Sequence, residues 1–200
     1  MSSTAEFFER PIEAIVIGAS AGGVEALSQL LPALPTGLRA SVFIVLHLPR
    51  DRPSLLASIF NARCAVPVRE AVDKEPVAPG TVYFAPPDYH LLLDQGPRLA
   101  LSVDEPVHFS RPSIDVLFES AADLYGPTLL GIVLTGANHD GASGLSAIDR
   151  AGGMTMAQQP HSAQAPLMPE AALAGTPAAL SLSLADMADF LRTLDTRGGP

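Results

Sequence analysis

Residues 12–27 read IEAIVIGASAGGVEAL, and this stretch decides the fold. The apolar run 12–17 is too continuous for a half-exposed strand and predicts a strand buried on both faces. Gly18-Ala19-Ser20-Ala21-Gly22-Gly23 follows it as a tight turn built from small residues. Val24, Leu27, Leu30 and Leu31 then recur at helical spacing until Pro32, because the residue before a proline disfavours the α region. A second continuous run, 41–46, is the next buried strand, and together these segments make one βαβ unit.

Working outward, residues 66–70 and 81–85 read as strands, and 90–94 pairs with 98–103 across Gln95-Gly96-Pro97 as an antiparallel hairpin. Ile114, Leu117, Phe118, Ala121, Leu124 and Tyr125 form a helical stripe, followed by a buried-strand run at 129–134. A helix is expected at 142–151, stopped by Gly152-Gly153, then a strand at 154–158 and a closing helix at 184–194. The expected class is α/β, a doubly wound, mostly parallel sheet with helices on both faces and an antiparallel hairpin at one edge. Residues 1–200 read as a single domain with its core at about 12–194, since no Pro/Gly/Ser-rich linker divides them.

Among 200 residues, 48% are apolar and 16% charged, enough for one hydrophobic core. The net charge of -9 repels phosphate backbones and anionic headgroups, which argues against nucleic-acid binding through a basic face. No apolar run approaches the ~18 residues that span a bilayer, and the N-terminus lacks a basic region before an apolar stretch. No membrane insertion and a cytoplasmic location are the expectation. The one cysteine, Cys64, cannot form an intrachain disulfide and reads as a small buried hydrophobe.

Ser20 stands in a G-x-S-x-G turn between strand and helix, the pattern that lifts a nucleophilic hydroxyl above the carboxyl ends of the strands. A dinucleotide-binding turn would need glycine at position 20 and an acidic residue ending the second strand, where this chain has His47. A plain tight turn without chemistry is the remaining alternative. A serine needs a base, and His47 is the best placed of five histidines because it ends the strand beside the one that leads to Ser20. His90 opens a hairpin strand, while His108, His139 and His161 lie in polar loops. None has the spacing of a metal site, so no metal and no cofactor are expected. Asp140, in the glycine-bounded loop after the strand 129–134, is the candidate carboxylate to orient His47. Its rival role is to cap the helix beginning near Ala142. The chain order Ser, His, Asp differs from the Ser, Asp/Glu, His of α/β-hydrolases.

Taken together, the stretches IVIGASAGGVEAL, FIVLHLP, EAVDKEPVAPGTVYFAPPDYHLL, LSVDEPVHFSRPSIDVLFESAA, GIVLTGANHDGASGL and AGGMTMAQ resemble the catalytic domain of the chemotaxis protein-glutamate methylesterase family (CheB). The resemblance runs from Ile12 to about Met168. It implies that Ser20, His47 and Asp140 form the family's triad, with oxyanion donors among backbone N–H groups near Ala21 and in the Ala137 loop. It further implies hydrolysis of γ-glutamyl methyl esters on the cytoplasmic helices of chemoreceptors, with deamidation of receptor glutamines as a related activity. Arg111, Pro112, Ser113 and Asp115 would help shape the substrate cleft. Their alternative role is structural, because Pro112 favours helix entry and Asp115 suits the first-turn dipole.

Two features depart from the family pattern. Ala137-Asn138 stands where many members carry Met-Gly. Eleven residues precede the first predicted strand, too few for the receiver domain the family commonly carries, so a separate response-regulator or chemosensory partner is the expected source of any phosphorylation control. Other readings left open are a catalytically silent chemosensory adaptor and a serine esterase or amidase acting on another substrate.

Overall fold

The computed structural model describes residues 11–47 and 55–194. In chain order these form β1 (Ala14–Ala19), α1 (Gly23–Leu30), β2 (Ser41–Leu46), α2 (Leu56–Asn61), β3 (Val68–Glu70) and β4 (Val82–Phe84). Next come β5 (His90–Asp94), β6 (Arg98–Ser102), α3 (Ile114–Tyr125), β7 (Leu129–Val133), α4 (Ala142–Arg150), β8 (Met154–Gln158), α5 (Leu167–Gly175), β9 (Leu180–Leu182) and α6 (Leu184–Arg192).

The main sheet has the order β3-β4-β2-β1-β7-β8-β9, and its pairings are parallel. β1 is central because its side chains alternate between two cores. Ile15, Ile17 and Ala19 pack with Leu27, Leu30, Met187 and Leu191 of α1 and α6, whereas Ala14 and Val16 pack with Ile114, Leu117, Phe118 and Ala121 of α3. Period-two alternation between two apolar layers requires helices on both faces, and this accounts for the unbroken apolar runs in the sequence. After β1 the chain builds outward through β2 and then returns to β7 on the other side of β1. The sheet therefore has its topological switch point between β1 and β7, where open α/β sheets place their ligands above the carboxyl ends of the strands.

The antiparallel hairpin is β5–β6, paired His90↔Ser102 to Asp94↔Arg98 as a two-stranded sheet of its own. It does not extend the main ladder. Its Leu91, Leu93 and Leu99 are buried with Phe43, Tyr83 and Leu117, so packing over the sheet and α3 decides its position. Three elements have no counterpart in the sequence reading: α2, α5 and β9. In α1 the inward residues are Gly23, Ala26, Leu27 and Leu30, while Val24, assigned by spacing to the apolar stripe, is 36% exposed. Cys64 is only part-buried and packs against the first core, and burial pushes its thiol pKa up, which disfavours the reactive thiolate. No helix among the described residues is long and apolar enough to cross a membrane.

Gly18 links this packing to the turn that follows. A Cβ there would lie 2.3 Å from Ile114 Cγ2 and 2.9 Å from its Cδ1, because α3 crosses β1 at this point. Gly18→Ala should therefore destabilise the fold by about 1–3 kcal/mol through overpacking. Urea unfolding would show this as a lower midpoint, and an unchanged midpoint would mean that α3 can move away freely.

Candidate active site

The ladder brings Ser20 and His47 side by side. Ala19 pairs with Leu46, and one step further His47 N–H donates to Ala19 O at 3.0 Å while Ser20 N–H donates to Thr135 O at 3.0 Å. Continuing the pleat from Ala19 and Leu46, which face the first core, turns both next residues toward the face that carries α3. The turn after Ser20 is closed by Gly23 N–H donating to Ser20 O at 2.8 Å, with Gly22 at φ 78, a left-handed backbone that glycine adopts without strain. The Thr135 hydroxyl donates to Ala21 O at 2.8 Å, and Thr135 N–H is itself held by the buried Gln158 amide oxygen at 2.9 Å. The end of β8 thus steadies the serine turn.

His47 and Asp140 are in direct contact, with Nε2 to Oδ2 at 2.9 Å. Against an ionised carboxylate this nitrogen carries the proton and donates, which leaves Nδ1 as the basic nitrogen. His47 is 12% exposed and Asp140 fully buried. Ser20 is half-buried, and its hydroxyl makes no direct hydrogen bond to His47 or to any other described residue.

Asp140 is a capping residue, though of a different helix from the one its sequence position suggests. The helix it precedes, α4, is N-capped by Gly141 without a side-chain cap. Asp140 instead faces the N-terminus of α3. Its Oδ2 accepts from Ile114 N–H at 2.7 Å, and its Oδ1 accepts from Asp115 N–H at 3.0 Å and from the Ser113 hydroxyl at 2.9 Å. Burial would raise the Asp140 carboxyl pKa, but the hydrogen bond from His47 and the N–H groups of Asp115 and Ile114 outweigh it and hold the carboxyl below its ordinary value. Asn138, one of the residues departing from the family pattern, closes the same loop by accepting Asp140 N–H at 3.1 Å through its side chain.

Several partners of this site were not legible as such. His90 is buried and accepts Ser113 N–H on Nδ1 at 3.1 Å, while its Nε2 donates to Glu105 O at 3.2 Å. This braces the residue whose hydroxyl reaches Asp140. Arg111 is engaged with Asp88 and with the carbonyls of Val103 and Asp104, so it ties two loops together at the entrance to α3. The Ala21 and Ala137 N–H groups donate to no described group, and both residues are exposed. Among the described residues no group of three or more His, Cys, Asp or Glu is arranged to hold a metal ion.

The chain as a whole is similar to known proteins. Residues 15–191 match the family model described as CheB methylesterase. A relative from Leptospira interrogans is 44% identical over 92% of this chain and 95% of its own length. A protein-glutamate methylesterase/protein-glutamine glutaminase from Bordetella parapertussis is 42% identical over 92% of this chain, which spans 54% of that longer protein. The crystal structure of the Thermotoga maritima CheB methylesterase catalytic domain superimposes with a TM-score of 0.86 at 29% identity, covering 92% of this chain and all of that one. The chain, with its serine turn, its His47–Asp140 contact and its central parallel sheet, belongs to the CheB methylesterase family.

Proposed function

We propose that this chain hydrolyses γ-glutamyl methyl esters on the cytoplasmic helices of chemoreceptors, with Ser20 as nucleophile, His47 as base and then acid, and Asp140 as the group that fixes the imidazole. The observation that carries this reading is the 2.9 Å contact between His47 Nε2 and Asp140, made one strand spacing from Ser20. It supports Nδ1 as the imidazole nitrogen that takes the proton.

As Ser20 Oγ attacks the ester carbonyl, its proton passes to His47 Nδ1 and the carbonyl oxygen becomes an oxyanion, with the Ala21 and Ala137 N–H groups as its donors. Collapse breaks the bond to the methoxy oxygen, which takes the proton from His47 and leaves as methanol. Water then gives a proton to His47 and its oxygen to the acyl carbon. The Ser20–acyl bond breaks, Ser20 Oγ takes the proton back from His47, and the glutamyl acid departs and loses its remaining proton to solvent. The same steps on a receptor glutamine would release ammonia. Asp140 stays ionised throughout and stabilises the imidazolium that forms twice per turnover. The substrate places this activity in the cytoplasm.

Methanol release from a methylated receptor fragment is the test, with ammonia release from its glutamine form measured in parallel. The expected result is methanol from wild type and a rate about 10⁴-fold lower from Ser20→Ala. Release from a small methyl ester but not from the receptor would point to a different esterase, and no release from either would point to a silent adaptor.

A further inference from the structure

We propose that Asp115 is a positioning residue for the Asp140–His47 pair, acting through the Gly141 and Gly144 N–H groups that frame the loop carrying Asp140. The inference rests on the catalytic reading of Ser20, His47 and Asp140.

The geometry is reciprocal. Asp140, just before α4, accepts the first N–H groups of α3. Asp115, in the first turn of α3, sends Oδ1 back to accept Gly141 N–H at 2.9 Å and Gly144 N–H at 2.7 Å. Each helix start is thereby closed by a carboxylate from the other, and the two four-residue neighbourhoods form a clasp in which neither aspartate shifts alone. Asp115 is 4% exposed, and Gly141 and Gly144 are both buried. Water is therefore poorly placed to replace the carboxylate.

Aspartate is an ordinary helix cap, but at this position it sits against a second buried carboxylate. Serine, threonine or asparagine would satisfy an N-terminus without setting a second negative charge beside Asp140. Here burial raises the Asp115 carboxyl pKa and the charge of Asp140 raises it further, while Gly144 N–H and the nearby His108 draw it down. His108 is fixed by this contact, Nε2 to Asp115 Oδ2 at 3.2 Å, on a turn where His108 and Phe109 both have positive φ, at 49 and 61. A carboxylate oxygen can accept two N–H groups at once, and the ionised form holds both more tightly than a neutral oxygen would. What this secures is the direction of Asp140, and hence of the imidazole ring that Asp140 holds.

The test compares Asp115→Ala and Asp115→Asn in the full chain, with Asp140→Asn as a reference. The readouts are kcat and KM on the methylated receptor fragment and the downfield proton signal of His47 Nε2–H, which needs no substrate. Asp115→Ala should lower kcat by about 10²-fold with KM little changed, and should shift or broaden the His47 signal. Asp115→Asn keeps a neutral oxygen for Gly141 and Gly144, so its kcat and its His47 signal should lie between those of wild type and Asp115→Ala. Wild-type kcat and an unaltered signal in Asp115→Ala, beside an inactive Asp140→Asn, would overturn the positioning role while leaving the triad intact. An active Asp140→Asn would instead overturn the triad reading itself. If Asp115→Ala does not fold, Asp115→Asn decides alone. A lowered kcat with KM little changed and a shifted His47 signal supports the clasp, and wild-type kcat with an unaltered signal overturns it.

Discussion

Ser20→Ala and His47→Ala should each lower kcat by about 10⁴-fold or more, and the double variant should be no slower than the worse of the two. The expectation follows from the two residues sharing one proton. Without Oγ there is nothing for His47 Nδ1 to deprotonate, and without the imidazole the hydroxyl attacks at its unactivated rate. Ser20→Ala should leave stability unchanged, whereas His47→Ala also takes a donor from the buried Asp140 carboxylate and should lower stability without changing the fold. The Ser20 hydroxyl has no hydrogen bond to lose among the described residues, and the main-chain bonds of Ser20 and His47 to Thr135 and Ala19 survive truncation of their side chains. Residual turnover should remain above the uncatalysed rate, because the Ala21 and Ala137 N–H groups are main-chain donors that neither variant removes. Single-turnover assays of methanol release would show the pattern. Losses that multiply would mean that the two side chains act in separate steps.

Convergence of the three site residues follows from strand order, which the sequence carries only in part. Each residue follows a continuous apolar run, so its place at the carboxyl end of a buried strand was readable from residues 12–17, 41–46 and 129–134. The arrangement that makes β2 and β7 the two neighbours of β1 is set by tertiary pairing, and it brings Asp140 to His47 across 93 residues of chain. Local signals failed where they were weak. α2 is six residues long and lacks a side-chain cap, β9 is three residues with intermediate exposure, and α5 carries Pro169 within its first turn. Asp140 was read against the helix that follows it, because capping rules are local. Its actual partners are the N–H groups of a helix that begins 26 residues earlier, and Asp115 returns the contact. The roles of Ser113 and His90 were hidden for the same reason, since both act on Asp140 through contacts remote in sequence.

Asp140→Asn should cost both catalysis and stability. Catalysis should fall by about 10⁴-fold, because an amide in place of Oδ2 presents a donor to His47 Nε2 and favours the tautomer with its proton on Nδ1, the nitrogen that must accept from Ser20. The stability loss follows from the same atom. Oδ2 also accepts Ile114 N–H at 2.7 Å, and Oδ1 already serves Asp115 N–H and the Ser113 hydroxyl. An asparagine can rotate its oxygen toward either pair but not both, so one fully buried edge is left with donor facing donor. Hydrogen bonds to a buried charge are the stronger class, and the loss should be about 2–3 kcal/mol, or roughly 5–10 °C in Tm for a chain of this size. The pH dependence separates this from a generic packing defect. The folded carboxyl has a lowered pKa, so the stability it contributes is fully present above its unfolded value near ~3.9 and is lost as pH falls through the lower folded value. Wild type and variant should therefore differ most at neutral pH and converge in acid. Urea unfolding at neutral and acidic pH would show that convergence, and a difference that stays constant between them would mean that Asp140 contributes by shape alone and not by its charge.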